Sequence, residues 1–243
     1  MLEVTGVSKR FGGLQAVDDA TLKVKEGDVV ALIGPNGAGK TTLFALIAGF
    51  LKADSGGVKF AGKNITGLEP DQLCRLGLVR TFQIVKPFPN LTVRENIAVG
   101  AHNRIADRAG ALDKAGQIAG LLGIKASLDK QASALTVAGR KKLELARALA
   151  TQPRLLLLDE VMAGLNATEV SEITDIIREL PGQGITIFMI EHVMQAVMKL
   201  SHHIYVLNNG KVIAEGSPEH VTSDPQVIEA YLGKGAAARL AGG

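Results

Sequence analysis

The stretch GPNGAGKT, Gly34 to Thr41, constrains this chain more than any other. It fits G-x-x-x-x-G-K-[ST], with the apolar run DVVALI before it and the amphipathic run TLFALIAGF after it. A tight glycine turn between a strand and a helix aims backbone N–H groups inward, and the helix start adds a partial positive charge. Phosphate is the ligand such a turn suits. Gly34, Gly37 and Gly39 permit the turn, and Pro35, Asn36, Ala38 and Thr42 complete the phosphate-contacting set. Lys40 places a point charge on the outer phosphates, and Thr41 offers a hydroxyl to Mg²⁺.

A second stretch, LLLLDE, ends with Asp159 and Glu160. Its leucines read as a buried central strand, which puts both acids at the strand's C-terminal end. In open α/β sheets that edge binds ligands. There Asp159 can hold the Mg²⁺ shell and Glu160 can orient and polarise an attacking water, a contribution of roughly 10²–10⁴-fold for a well-placed base. The stretch GITIFMIEH ends another strand in the same manner, with Glu191 and His192 at its tip. A lone histidine is more often structural, but an imidazole N–H at a strand terminus can reach a γ-phosphate. His102, His202, His203 and His220 have no such placement and read as surface or core residues.

The remaining composition sets limits. The chain has 243 residues, 47% hydrophobic and 21% charged, enough for one large domain or one domain carrying an inserted lobe. Aromatic residues are 4% with no Trp, so the core draws on Leu, Ile, Val and Ala. A net charge of +3 suits an anionic ligand or an acidic membrane surface and is too weak to argue for nucleic acid. The single Cys74 rules out a disulfide within the chain and fits a reducing compartment. No basic start followed by an apolar run marks an export signal, and no run approaches the ~20 apolar residues that span a bilayer.

Along the chain, residues 1–33 alternate apolar and polar, as half-buried strands do. SGGVKFAGKNI reads as turn, strand, turn. From about residue 87 to 150 alanine-rich helical patterns take over, which predicts a helical lobe (87–150) inserted into an α/β core (1–86 and 151–233). The core resumes with RLLLLDE, the helices ATEVSEITDIIREL and EHVMQAVMKL, and a hairpin turning at Asn-Asn-Gly. Residues 1–233 form one domain on this reading, and 234–243, poor in bulky side chains, form a flexible tail.

Taken in order, Phe11, GPNGAGKTT, Gln83, LTVAG, LLLLDE, AGLN at 163–166 and His192 resemble the ATP-binding subunit of an ABC transporter. The resemblance covers roughly residues 2–233. It implies an α/β fold: a P-loop NTPase core with a mixed sheet, an N-terminal antiparallel β subdomain and an inserted α-helical subdomain. It implies roles as well. Phe11 stacks on adenine, a contact worth ~1–3 kcal/mol, with Val17 packing nearby. Gln83 reaches Mg²⁺ and senses the helical lobe. Thr136, Val137, Ala138 and Gly139 belong to the signature loop that meets ATP held by a facing subunit. AGLN is the loop through which two subunits communicate, with Asn166 in place of the usual aspartate. KRFGGLQAV, NLTVRENIAVGAH and AGLN are similar to the subfamily serving importers of branched-chain and other hydrophobic amino acids.

The function implied is Mg·ATP hydrolysis that drives solute uptake, by a peripheral subunit on the cytoplasmic face of the inner (plasma) membrane. ATP and Mg²⁺ are the implied cofactors. Permease subunits, a second ATPase subunit (homo- or heterodimer) and, indirectly, a solute-binding protein are the implied partners, and nucleic acid is not among them. One departure keeps a second reading open. The usual signature is L-S-G-G-Q, and here the aligned residues are Leu135, Thr136, Val137, Ala138 and Gly139. A negative φ at Ala138 costs within ~1 kcal/mol. A positive φ strains it by ~1–2 kcal/mol and shifts the loop. The first outcome fits a working ATPase. The second fits a nucleotide-binding regulatory subunit with impaired hydrolysis.

Overall fold

Strands buried along their whole length need cover on both faces, and three such strands lie at the centre of this protein. A computed structural model describes residues 1–82 and 86–232. The elements in chain order are β1 (Leu2–Phe11), β2 (Leu14–Val24), β3 (Val29–Ile33), α1 (Lys40–Ile47), β4 (Ser55–Phe60), β5 (Lys63–Asn64), α2 (Pro70–Leu76) and β6 (Leu78–Arg80). Then follow α3 (Val93–Ala101), α4 (Arg108–Leu121), α5 (Val137–Ala150), β7 (Leu155–Asp159), α6 (Ala167–Glu179) and β8 (Thr186–Ile190). The last are α7 (Met194–Leu200), β9 (His203–Asn208), β10 (Lys211–Gly216), α8 (Pro218–Ser223) and α9 (Pro225–Leu232).

The main sheet has the order β10-β9-β3-β8-β7-β6. Strands β9, β3, β8, β7 and β6 are mutually parallel, and β10 adds an antiparallel edge. Every residue of β3, β7 and β8 is buried. Side chains alternate across a sheet, so each strand feeds two cores. Ala31, Ile33, Leu156, Leu158, Ile187 and Met189 join the core that holds α3, α4, α5, α6 and α7. Leu32, Leu155, Leu157, Phe188 and Ile190 join the core shared with α1, β1, β2 and β4. The second sheet, β2-β1-β4-β5, is wholly antiparallel and covers that side.

Between β6 and β7 the chain is helical. Alanines 101, 111, 115, 119 and 146 are fully buried there, which lets α3, α4 and α5 pack against one another. Caps set the helix starts. The Thr92 hydroxyl accepts from the Glu95 N–H while the Glu95 carboxylate accepts from the Thr92 N–H, a reciprocal box at α3. Thr136 caps α5 in the simpler form.

Two local expectations shift. Ser55–Gly57, predicted as a turn, extend β4 because β1 pairs with them through Thr5↔Gly57 and Ser8↔Ser55. The helix expected from Glu191 begins at Met194 instead, and Glu191 and His192 lie in the connection between β8 and α7. The aromatic pair Phe44–Phe188, with ring centroids 4.8 Å apart, joins α1 to β8 and both rings are fully buried. Phe188→Ala is expected to cost about 3–5 kcal/mol of unfolding free energy in a denaturant titration.

Candidate nucleotide-binding site

Parallel strands place all their C-terminal ends on one edge. Here that edge gathers the loop after β3, Arg80 and Thr81 at the end of β6, Asp159 and Glu160 at β7, and Glu191 and His192 after β8. The register sets Leu32 and Asp159 each beside Ile190. The phosphate loop and the acids therefore leave the sheet at the same level.

The loop depends on its glycines. Gly34 has φ 151°, and a Cβ there would lie 2.0 Å from the Leu207 carbonyl oxygen. Gly39 caps α1 with φ 103°, and a Cβ there would lie 2.2 Å from the Ala16 carbonyl oxygen. Lys40 is buried, and its Nζ donates to the carbonyls of Gly34 at 2.8 Å and Pro35 at 2.9 Å. Burial holds its pKa below the ordinary lysine value, opposed by the negative charges of Glu160 and Asp159.

Asp159 is buried, and its Oδ2 accepts from Arg80 at 2.7 Å. Its Oδ1 has no hydrogen-bond partner. Thr41 and Asp159 both line a cavity of about 540 Å³ with Arg80, Phe82, Lys86, Glu144 and Arg147. A free carboxylate oxygen and a hydroxyl suit Mg²⁺, which is bound through one or two carboxylates, waters and substrate phosphates. Among the described residues no cluster of three or more His, Cys, Asp or Glu side chains could hold a metal by itself. Gln83, the third metal candidate, lies outside the described residues.

Glu160 sits at φ 50°, a left-handed conformation that costs a non-glycine residue roughly 1–2 kcal/mol. Its Oε1 meets His192 Nε2 at 2.7 Å. A carboxylate only accepts, so Nε2 carries the proton. The Glu160 backbone is held too: its N–H donates to Ile190, and its carbonyl accepts from Lys141 Nζ of α5 at 3.0 Å. Next to this pair, Glu191 is 1% exposed and accepts from the Met162 N–H at 3.0 Å. Burial pushes its carboxyl up to about 7, against the backbone hydrogen bonds from Met162 and His192.

A second cavity, of about 440 Å³, runs from Phe11 along Leu14, Gln15 and Ala16 to Asn36–Thr42, Glu160 and Asn209. Phe11 is 45% exposed there, an available stacking face. Val17 is fully buried in the core and does not line it. Thr136, Val137, Ala138 and Gly139 do not line it either. Val137–Gly139 form the first turn of α5, and the Gly139 N–H donates to the Thr136 hydroxyl at 3.1 Å. Ala138 is therefore helical with negative φ, the unstrained alternative. Asn166 caps α6, accepting from the Glu169 N–H at 3.0 Å, a task asparagine performs as well as aspartate.

Arg80, Lys141, Glu191 as a buried acid, and Asn209 join the site without having stood out in the sequence. Glu191 had a signal, since it directly follows the apolar run Ile187–Ile190. The other three had none, because their roles come from strands and helices distant in sequence.

A family model described as ABC transporter matches residues 17–163, more than half of the chain. The chain belongs to the ABC transporter family. It is an ATP-binding cassette, an ATPase of that family. A second model, described as branched-chain amino acid ATP-binding cassette transporter, matches residues 211–237. The cassette is 40% identical over 250 residues to the high-affinity branched-chain amino acid transport ATP-binding protein LivG of Salmonella typhimurium, covering 96% of this chain and 98% of that one. It is 39% identical over 250 residues to the corresponding protein BraF of Pseudomonas aeruginosa, with the same coverage. A nucleotide-free ATP-binding cassette from an ABC transporter superposes with a TM-score of 0.88 at 37% identity, covering 96% of this chain and 99% of that one. The ADP conformation of the ATP-binding cassette MJ1267 gives 0.87 at 37% identity with the same coverage.

The raised Glu191 carboxyl has a consequence for this cassette's stability. The folded state retains a proton that the unfolded chain has released, so the contribution falls as pH rises from 4.5 to about 7. Glu191→Gln keeps an acceptor for Met162 and removes the ionisation. Denaturation at pH 5 and pH 8 is expected to show the variant gaining about 3 kcal/mol relative to the wild type at the higher pH.

Proposed function

We propose that this cassette is the ATP-hydrolysing subunit of a membrane importer for branched-chain or related amino acids. The observation that carries the reading is the convergence of the Gly34–Thr41 loop, Asp159 and Glu160 on one sheet edge. The resemblance over nearly its whole length to branched-chain amino acid transport ATP-binding proteins supports the choice of solute.

In this reading the loop amides and Lys40 take the β- and γ-phosphates, and the adenine stacks on Phe11 at the far end of the same cavity. Thr41 and Asp159 would hold Mg²⁺, with Gln83 as the third candidate ligand, and the ion would neutralise phosphate charge. Glu160 accepts a proton from the attacking water, and His192 orients the Glu160 carboxylate. Lys40 gives up its loop carbonyls for phosphate oxygens, a better partner for a buried cation.

Thr136–Gly139 stand apart from the nucleotide cavity of their own chain. They cap instead the ATP of a facing ATPase subunit, identical or a sister, through the N-terminus of α5. Closing of that dimer, with motion of the α3–α5 segment, acts on permease subunits that receive solute from a binding protein. No helix among the described residues is long and apolar enough to cross a membrane, so attachment to the cytoplasmic face runs through the permease.

Glu160→Gln is expected to keep ATP binding and to lose on the order of 10²-fold or more in turnover, leaving an ATP-bound dimer that size-exclusion chromatography detects. Normal turnover would remove Glu160 from its role. Restoring glycine at 138 is expected to bring no large gain in ATPase rate, since Ala138 is already helical. A large gain would favour the regulatory subunit over the working enzyme.

A further inference from the structure

Arg80 ends the edge strand β6 and reaches across to the end of β7. Its side chain is 8% exposed, and that of Asp159 is 1% exposed. The contact is a single one, Nη2 to Oδ2 at 2.7 Å. Arginine and carboxylate usually meet through two parallel hydrogen bonds when geometry allows. Here the buried Arg80 Nε and Asp159 Oδ1 are both left without a hydrogen-bond partner. The guanidinium is flanked by two rings, 5.7 Å from the Phe50 centroid and 5.5 Å from the Phe82 centroid, and these rings meet edge to face at 5.3 Å. Aromatic flanks hold a guanidinium in place while leaving its charge available.

A carboxylate this deeply buried is costly to keep ionised without a cation beside it. Lys40 feels the charge of this acid from the phosphate loop, and two further cations compete for its oxygens, the fixed guanidinium and the metal carried in with the nucleotide. We propose that Arg80 is the resident counter-cation of Asp159: it holds Oδ2, leaves Oδ1 for the metal, and sets how much Mg²⁺ the nucleotide complex needs. This rests on the reading of Asp159 as a metal ligand. Arg80 is a positioning residue acting through Asp159. Its positive charge repels the incoming dication, so its loss tightens metal binding, and the uncompensated acid then destabilises the metal-free protein.

The test uses the full-length cassette, purified and saturated with ADP, titrated with Mn²⁺ and followed by the electron paramagnetic resonance signal of free Mn²⁺. Arg80→Gln keeps a donor for Asp159 and removes the charge, Arg80→Met removes both, and Arg80→Lys keeps the charge. The Gln and Met variants are expected to bind Mn²⁺ roughly tenfold tighter than wild type, with Lys close to wild type. In thermal melts without nucleotide, the Gln and Met variants are expected to unfold earlier than wild type in EDTA and to regain part of the loss in Mg²⁺. Equal or weaker Mn²⁺ affinity in the Gln variant would overturn the proposal while leaving the metal site in place. A wild-type cassette whose ADP complex takes up no Mn²⁺ would remove the metal site and the proposal together. Should Met fail to fold, the Gln–Lys comparison decides alone, since those two differ in charge and both donate a hydrogen bond.

Discussion

The carbonyl oxygen of Leu207 stands where a side chain on Gly34 would have to begin, and that of Ala16 does the same to Gly39. These two close approaches clamp the phosphate loop between both sheets, since Leu207 belongs to β9 and Ala16 to β2. The positive φ at Gly39 then lets α1 start at Lys40 with its amides directed into the loop. Remove either glycine and the loop must leave one of its two supports. The direction of α1, the reach of Lys40 and the placing of Thr41 all follow from that clamp.

Around the clamp the sheet edge stores negative charge in an apolar setting, and each acid has its own solution. Asp159 pairs with a guanidinium from the neighbouring strand. Glu160 leans on His192. Glu191 holds the Met162 amide and titrates near 7, so it carries its proton well above the usual carboxylate range. Neighbouring acids of like charge each raise the cost of ionising the others, and three unlike partners keep that cost local. Lys141 ties the Glu160 backbone to α5, so a hydrogen bond joins the strand edge to the helix that bears Thr136.

Much of this was legible in the chain. The Gly34–Thr41 pattern and the acid pair after four leucines each carry their chemistry within a few consecutive residues. The period of the apolar runs separated buried parallel strands from the alternating N-terminal ones. Ser55–Gly57 was misread because glycine and serine signal turns locally, while the edge of β1 decides their pairing. The pattern starts the helix after β8 too early because Glu191 and His192 match a helical pattern yet lie in the connection before α7. The pattern leaves the conformation of Ala138 open, because a one-dimensional pattern does not state φ.

The sequence by itself determined the phosphate loop, the strand that presents Asp159 and Glu160, and the family to which the chain belongs, because those features are contiguous and their spacing is their meaning. Only the tertiary structure decided that Arg80 shares Asp159, that Glu160 and His192 face each other, and that Ala138 lies in a regular helical turn. The pairs join residues 79 and 32 positions apart, and the conformation at 138 depends on the hydroxyl that caps its helix. Contacts of that range exist only after the sheet has fixed its strand order, so no local pattern encodes them.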